Sequence, residues 1–115
     1  MRTNFQMEYQ NITMVRGDTV SFNVIAYDNE GEPVEIDGAY LTCKKNFDSD
    51  DILFQKYLTS GITQESDGLL IVRIAPEDTV NADIGNYYYD LQIEIGDDVF
   101  TLMIGTLTIG FDVTK

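Results

Sequence analysis

The sequence predicts an all-β sandwich of about seven to nine short, mostly antiparallel strands. Three observations lead there. Apolar residues alternate with polar ones through several stretches of four to eleven residues, the period of a half-buried strand. Turn residues, chiefly Gly, Asp, Asn and Pro, punctuate these stretches at short intervals. No long segment keeps a 3.6-residue period, so no more than one helical turn is expected, near Pro76 to Asn81.

The strongest pattern closes the chain. From Asp83 to Ile95 the sequence reads DIGNYYYDLQIEI. Tyr87, Tyr89, Leu91, Ile93 and Ile95 fall on one side, and Tyr88, Asp90, Gln92 and Glu94 on the other. Gly96-Asp97-Asp98 follows as turn chemistry, and Val99 onward is apolar again, so the two arms should pair as a long antiparallel hairpin. In the second arm Phe100, Leu102 and Ile104 keep even register, whereas Leu107, Ile109 and Phe111 keep odd register. A β-bulge at or next to Gly105 would account for the switch.

The earlier elements are shorter. Residues 1–8 are polar and unpatterned and read as an N-terminal arm; residues 9–115 read as a single domain. Tyr9 to Val15 is a first strand with Ile12 and Met14 on one face, ended by Arg16-Gly17-Asp18. Thr19 to Tyr27 places Val20, Phe22, Val24 and Ala26 together, with Ile25 out of phase. Asp28 to Pro33 is a turn, and Val34 to Gly38 a short extended piece. Ala39 to Lys45 is a strand with Leu41 and Cys43 inward. Asn46 to Asp51 is an acidic loop, and Ile52 to Leu58 reads as an edge strand. Thr59 to Gly68 reads as a turn or meander, with room for a short extended piece at Ile62. Leu69 to Ile74, with Leu70, Val72 and Ile74 inward, is the best central strand. Pro76, followed by Glu77 and Asp78, suits the first turn of a short helix.

Composition excludes several functions. The 115 residues suit one core. Seven Lys and Arg stand against 20 Asp and Glu, a formal charge of −13. No cationic surface is available for nucleic acid, and an anionic membrane is an equally poor partner. Histidine is absent, which removes the commonest general base, the serine–histidine arrangement and most zinc sites. Cys43 is the single cysteine; it can form no intramolecular disulfide and is expected as a small core residue. The N-terminus has no apolar signal run, which suits a chain made in the cytoplasm.

The motifs that could carry chemistry are weak. Acidic residues cluster in turns, at Asp28, Glu30 and Glu32, at Asp48, Asp50 and Asp51, and at Asp97 and Asp98. Asp28 to Glu32 loosely resembles the start of a calcium loop but lacks its ligand spacing, and Asp48 to Asp51 could hold an ion only together with a neighbouring loop. Arg16-Gly17-Asp18 matches a tripeptide read by some cell-surface receptors, but three residues are weak evidence and the stretch reads as a turn between two strands. No catalytic residue, metal site or cofactor is expected, and the chain is not expected to be an enzyme. Seven tyrosines and no tryptophan leave Tyr27, Tyr40 and Tyr88 outward by pattern, a possible contact surface. A carbohydrate- or ligand-binding module would require these three to converge beside Asn, Asp or calcium.

Two resemblances add to this reading. Asp83-x-Gly85-x-Tyr87 resembles the pattern that leads into a late strand of immunoglobulin-like domains. There the tyrosine hydroxyl reaches back to upstream backbone, the tyrosine corner. Tyr89 stands where antibody-type domains place a cysteine, so only the architecture is implied.

The second resemblance spans nearly the whole chain. Ile12-Thr13-Met14-Val15-Arg16-Gly17-Asp18-Thr19-Val20-Ser21-Phe22 opens it, and Val34-x-Ile36-x-Gly38-Ala39 follows. Gly85-x-Tyr87-x-Tyr89-Asp90-Leu91-Gln92 and Thr101-Leu102-Met103-Ile104-Gly105-x-Leu107-x-Ile109-x-x-Asp112-Val113-Thr114 close it. This order is similar to tail and baseplate proteins of phages and prophages of Gram-positive bacteria, most of all the N-terminal domain of the upper baseplate protein family. The resemblance implies an immunoglobulin-like sandwich in a virion. It would work without catalysis, by contacts with other virion proteins and with copies of itself.

Overall fold

The computed structural model describes residues 7–28 and 30–114. The chain is nearly all β, in a curled, sandwich-like sheet. Its strands are β1 (Glu8–Tyr9), β2 (Ile12–Val15), β3 (Val20–Ile25), β4 (Gly38–Lys44), β5 (Ile52–Leu58), β6 (Gly61–Ser66), β7 (Leu69–Ile74), β8 (Gly85–Ile95) and β9 (Asp98–Gly110). One helical turn, α1 (Pro76–Thr79), precedes β8. Hydrogen bonds run through the order β1-β9-β8-β4-β5-β6-β7-β3, and β2 extends the β1 edge along β9.

The path curls because β5 hands over to β6 at a sharp corner. Tyr57 pairs with Gly61 and Leu58 with Ile62, in parallel, with only Thr59 and Ser60 between. Thr59 takes a φ of 74° there, a conformation that β-branched residues rarely adopt. Beyond the corner, β6, β7 and β3 lie against β5, β4, β8 and β9. Ile62, Leu70, Val72 and Ile74 from one half share a core with Leu41, Cys43, Leu91, Ile93, Leu107 and Ile109 from the other. Each large aliphatic side chain fully buried there contributes about 1.5–3 kcal/mol.

The long hairpin forms as the alternation predicts. Tyr87, Tyr89, Leu91 and Ile93 are buried, and Tyr88 is exposed. Its turn is the two-residue loop Gly96-Asp97 between the paired Ile95 and Asp98. Gly96 has a φ of 59°, the left-handed conformation needed at the first central position of a type II′ turn. The tyrosine corner is present: the Tyr87 hydroxyl donates to the Asp83 carbonyl at 2.8 Å.

The bulge lies elsewhere than expected. Leu91 pairs with Met103 and Gln92 with Thr101, so the extra residue is Leu102. Leu102 and Met103 are both buried in succession, and Gly105 sits in regular register opposite Tyr89. Gly105 has a different role. A Cβ there would lie 2.0 Å from the Gln10 carbonyl oxygen. The Gln10 carbonyl turns out of the β1–β2 ladder, passes Gly105 and accepts the Tyr89 hydroxyl at 2.5 Å. The Asn11 side chain takes its place in the ladder and accepts the Thr106 amide at 3.1 Å.

Two other expectations need correction. The stretch Ile52–Leu58 is not an edge strand: β5 lies between β4 and β6. Residues 61–66 form a full strand, β6, longer than the short extended piece allowed at Ile62, paired with β7 from Ile62↔Val72 to Ser66↔Leu69. The expected arm, residues 1–8, falls mostly outside the described residues, but Glu8 already pairs with Met103 in β1. Val34 and Ile36 are buried in a segment that is no strand. The Gln64 side-chain amide satisfies the backbone instead, bonding both the N–H and the carbonyl of Ile36 at 2.9 Å.

Candidate interaction surfaces

Alternation places the even-numbered residues of β4 and β8 on the outer face of the sheet. Register then sets them side by side. Tyr40 pairs with Gln92, Thr42 with Asp90 and Lys44 with Tyr88, while β5 sets Tyr57 beside Tyr40 and Gln55 beside Thr42. The loop after β4 folds back, so the Phe47 ring meets Tyr88 edge-on at 5.6 Å. At the opposite end Tyr40 and Tyr57 meet edge-on at 6.5 Å. Between these aromatic ends runs a shallow trough of about 450 Å³. Its floor carries Thr42, Lys44, Gln55 and Asp90, and Ile104 of β9 adds an apolar flank.

Asp90 is the chemically distinctive residue of the trough. Burial raises its carboxyl above the ordinary carboxylate range, and nearby Lys44 offsets this in part. The charged form is therefore disfavoured by folding. Its penalty is absent below the ordinary carboxyl pKa of about 4, and is complete above the raised folded-state value. Asp90→Asn should thus raise the melting temperature at pH 7, and the gain should vanish as the pH falls toward about 3. Melting curves of both proteins across that range check it. Elsewhere on this face the Tyr40 hydroxyl donates to Glu94 Oε1 at 2.9 Å, and that bond, with the Glu94 charge, raises the phenol.

Of the three tyrosines singled out from the sequence, the fold brings two together. Tyr40 and Tyr88 line the trough. Tyr27 lies past β3, bridged to Pro33, in the half of the sheet beyond the corner. Phe47, Tyr57 and Asp90 were missed. Phe47 lay within an acidic loop, and Tyr57 within a strand whose register was unknown.

The remaining candidates are engaged in holding the fold. Arg16 Nε donates to Asp112 Oδ1 at 2.8 Å, and its Nη1 to the Ala82 carbonyl at 3.3 Å. Buried Gly17 donates its amide to Thr79 Oγ1 at 2.8 Å. The Arg-Gly-Asp tripeptide is thus a fastened turn rather than a displayed ligand. Asp28 is buried and accepts the Glu30 and Glu32 amides at 2.9 and 3.0 Å, the geometry of an Asx turn. Among the described residues no group of three His, Cys, Asp or Glu is placed to hold a metal ion. Cys43 is fully buried, and burial pushes its thiol up to about 12.

The second surface is the terminal edge. β1 and β2 pair on one side only, along β9. The Gln10 and Arg16 amides point to β9, so by alternation the backbone groups of Thr13 and the Val15 amide face away from it, while the Val15 carbonyl accepts the Asp18 amide at 3.0 Å. Tyr9 of β1 is 79% exposed and Val15 of β2 more modestly so, and Phe111 and Val113, just past the end of β9, are 77% and 99% exposed. At the other end of the path β3 pairs only with β7, leaving Ile25 half exposed.

Compared with known proteins, the chain matches no family model and no curated sequence.

Proposed function

We propose that this chain is a non-catalytic structural or assembly module of a phage or prophage tail or baseplate, and that it works by protein–protein contact. The observation that carries this reading is the open β1–β2 edge, with Tyr9 and Val15 exposed on it and Phe111 and Val113 exposed just past the end of β9. An unpaired strand edge is a template that a neighbouring chain can extend, and exposed apolar side chains beside it add area to such a contact. The whole-chain motif order that resembles upper baseplate N-terminal domains supports the same reading. So does a chain that has no histidine and whose Cys43 is sealed in the core. The partners are other virion proteins and further copies of this chain, and its location is the particle.

The edge can be blocked without unfolding the domain. Thr13 and Val15 are exposed, so lysine at both should change stability by no more than about 0.5 kcal/mol each. Charged residues on an edge strand oppose pairing with another chain. The tagged double variant T13K/V15K should melt like the wild type yet be excluded from particles assembled in the host. Incorporation at the wild-type copy number would refute a role for this edge.

A further inference from the structure

We propose that the trough between the Phe47–Tyr88 and Tyr40–Tyr57 pairs is a binding site for a short neutral oligosaccharide, a role separate from assembly through the β1–β2 edge. The chemistry of its lining selects this ligand class. Tyr40 and Tyr88 stand four residues from register partners on one pair of strands, Tyr40 opposite Gln92 and Tyr88 opposite Lys44. The trough between them therefore spans roughly 13 Å, four residues at about 3.3 Å each. That length takes an extended chain of sugars rather than a single small molecule. Aromatic rings at both ends offer apolar faces for the C–H surfaces of pyranose rings.

The polar floor matches hydroxyl groups. Among the described residues, no side chain donates a hydrogen bond to the Asp90 carboxylate. Asp90 is part-buried, so it lacks full hydration as well. A partly desolvated carboxylate is a strong acceptor, and sugar hydroxyls are donors that suit it. Gln55 Nε2 donates to Thr42 Oγ1 at 2.8 Å, which holds both side chains in place before any ligand arrives and lowers the cost of ordering them. Lys44 supplies donors for hydroxyl or ring oxygens at the Tyr88 end.

Charge decides between neutral and charged glycans. Lys44 and Asp90 balance in the lining of the trough, and Glu94 beside Tyr40 adds a negative charge at that end, so nothing there attracts an anionic ligand. The chain as a whole carries −13, which opposes sulfated, phosphorylated or uronic-acid chains. A peptide would need a strand edge or an apolar groove for its backbone. This face is the middle of a sheet, with β4 and β8 hydrogen-bonded to neighbours on both sides, and its floor is polar.

The test is an NMR titration of the whole chain, observing backbone amides. The probes are neutral hexasaccharides of glucose, mannose, galactose and xylose. At least one should give saturable shifts at Thr42, Lys44, Tyr88 and Asp90 with a Kd near about 1 mM or tighter. Tyr88→Ala and Asp90→Asn should each weaken that binding tenfold or more, while Tyr27→Ala, on the other half of the sheet, should leave it unchanged. Asp90→Asn is also expected to be more stable than the wild type at pH 7, so weaker binding by that variant cannot be put down to unfolding. Absence of saturable shifts with all four probes would overturn the proposal. So would binding that Tyr88→Ala leaves intact, or shifts at these amides that follow protein concentration without sugar, which would mark the face as a contact between copies.

Discussion

Gly105→Ala is expected to destabilise the protein by about 3 kcal/mol or more and to release the N-terminal strands, because overpacking against backbone has no cheap relaxation. The new methyl carbon would sit 2.0 Å from the Gln10 carbonyl oxygen and 2.7 Å from its carbon. Both are main-chain atoms, so no side chain can swing aside. The Gln10 peptide must move, and several bonds move with it. These are the Gln10 amide to the Ile104 carbonyl, the Tyr89 hydroxyl to the Gln10 carbonyl, and the Thr106 amide to Asn11. Hydrogen exchange should show lost protection at Gln10 and Thr106, with the β4–β8 amides still protected. Gly110→Ala is the control: its Cβ would meet only the Met14 carbonyl, at 3.8 Å, and should be near neutral. A loss below about 0.5 kcal/mol for Gly105→Ala, with Gln10 still protected, would contradict the geometry.

Asp78→Ala is expected to cost about 3 kcal/mol, the usual penalty for removing one partner of a buried pair. Lys56 of β5 and Asp78 of α1 meet at 2.6 Å with side chains only 15% and 11% exposed. Asp78 Oδ2 also accepts the Ala75 amide at 2.7 Å, at the start of the helical turn. Alanine would leave an ammonium group half-sealed from water and an amide without its acceptor. The melting temperature should fall by roughly 10–15 °C for a domain of this size. Replacing the pair together, Lys56→Met with Asp78→Leu, should recover most of the loss, because the larger part of it is the stranded charge. A double variant as unstable as Asp78→Ala would instead assign the effect to the Ala75 amide.

The hairpin, the inward faces of β3, β4 and β7, and the helical turn at Pro76 were all legible in the sequence, because each alternates or caps within its own few residues. What could not be read depends on contacts between distant residues. The bulge was misplaced because Leu102, Met103 and Ile104 are all apolar, so the phase could slip at any of them. Gly105 drew attention for its missing side chain, but the reason for it, the Gln10 carbonyl, lies 95 positions earlier in the chain. β5 looked like an edge because Lys56 interrupts its apolar face, and the partner that neutralises it, Asp78, is not local. β6 was obscured by polar residues that face solvent on both its sides. The trough was half legible: Tyr40 and Tyr88 pointed outward by pattern, but only the Lys44↔Tyr88 register placed them, Phe47 and Asp90 along one surface.

The assembly reading is tested most directly by mass spectrometry of particles purified from the host that carries this sequence. Peptides of this chain should be recovered at several copies per particle, in constant ratio to the other tail proteins through successive density gradients. Their absence from intact, infectious particles would contradict a structural role in the virion.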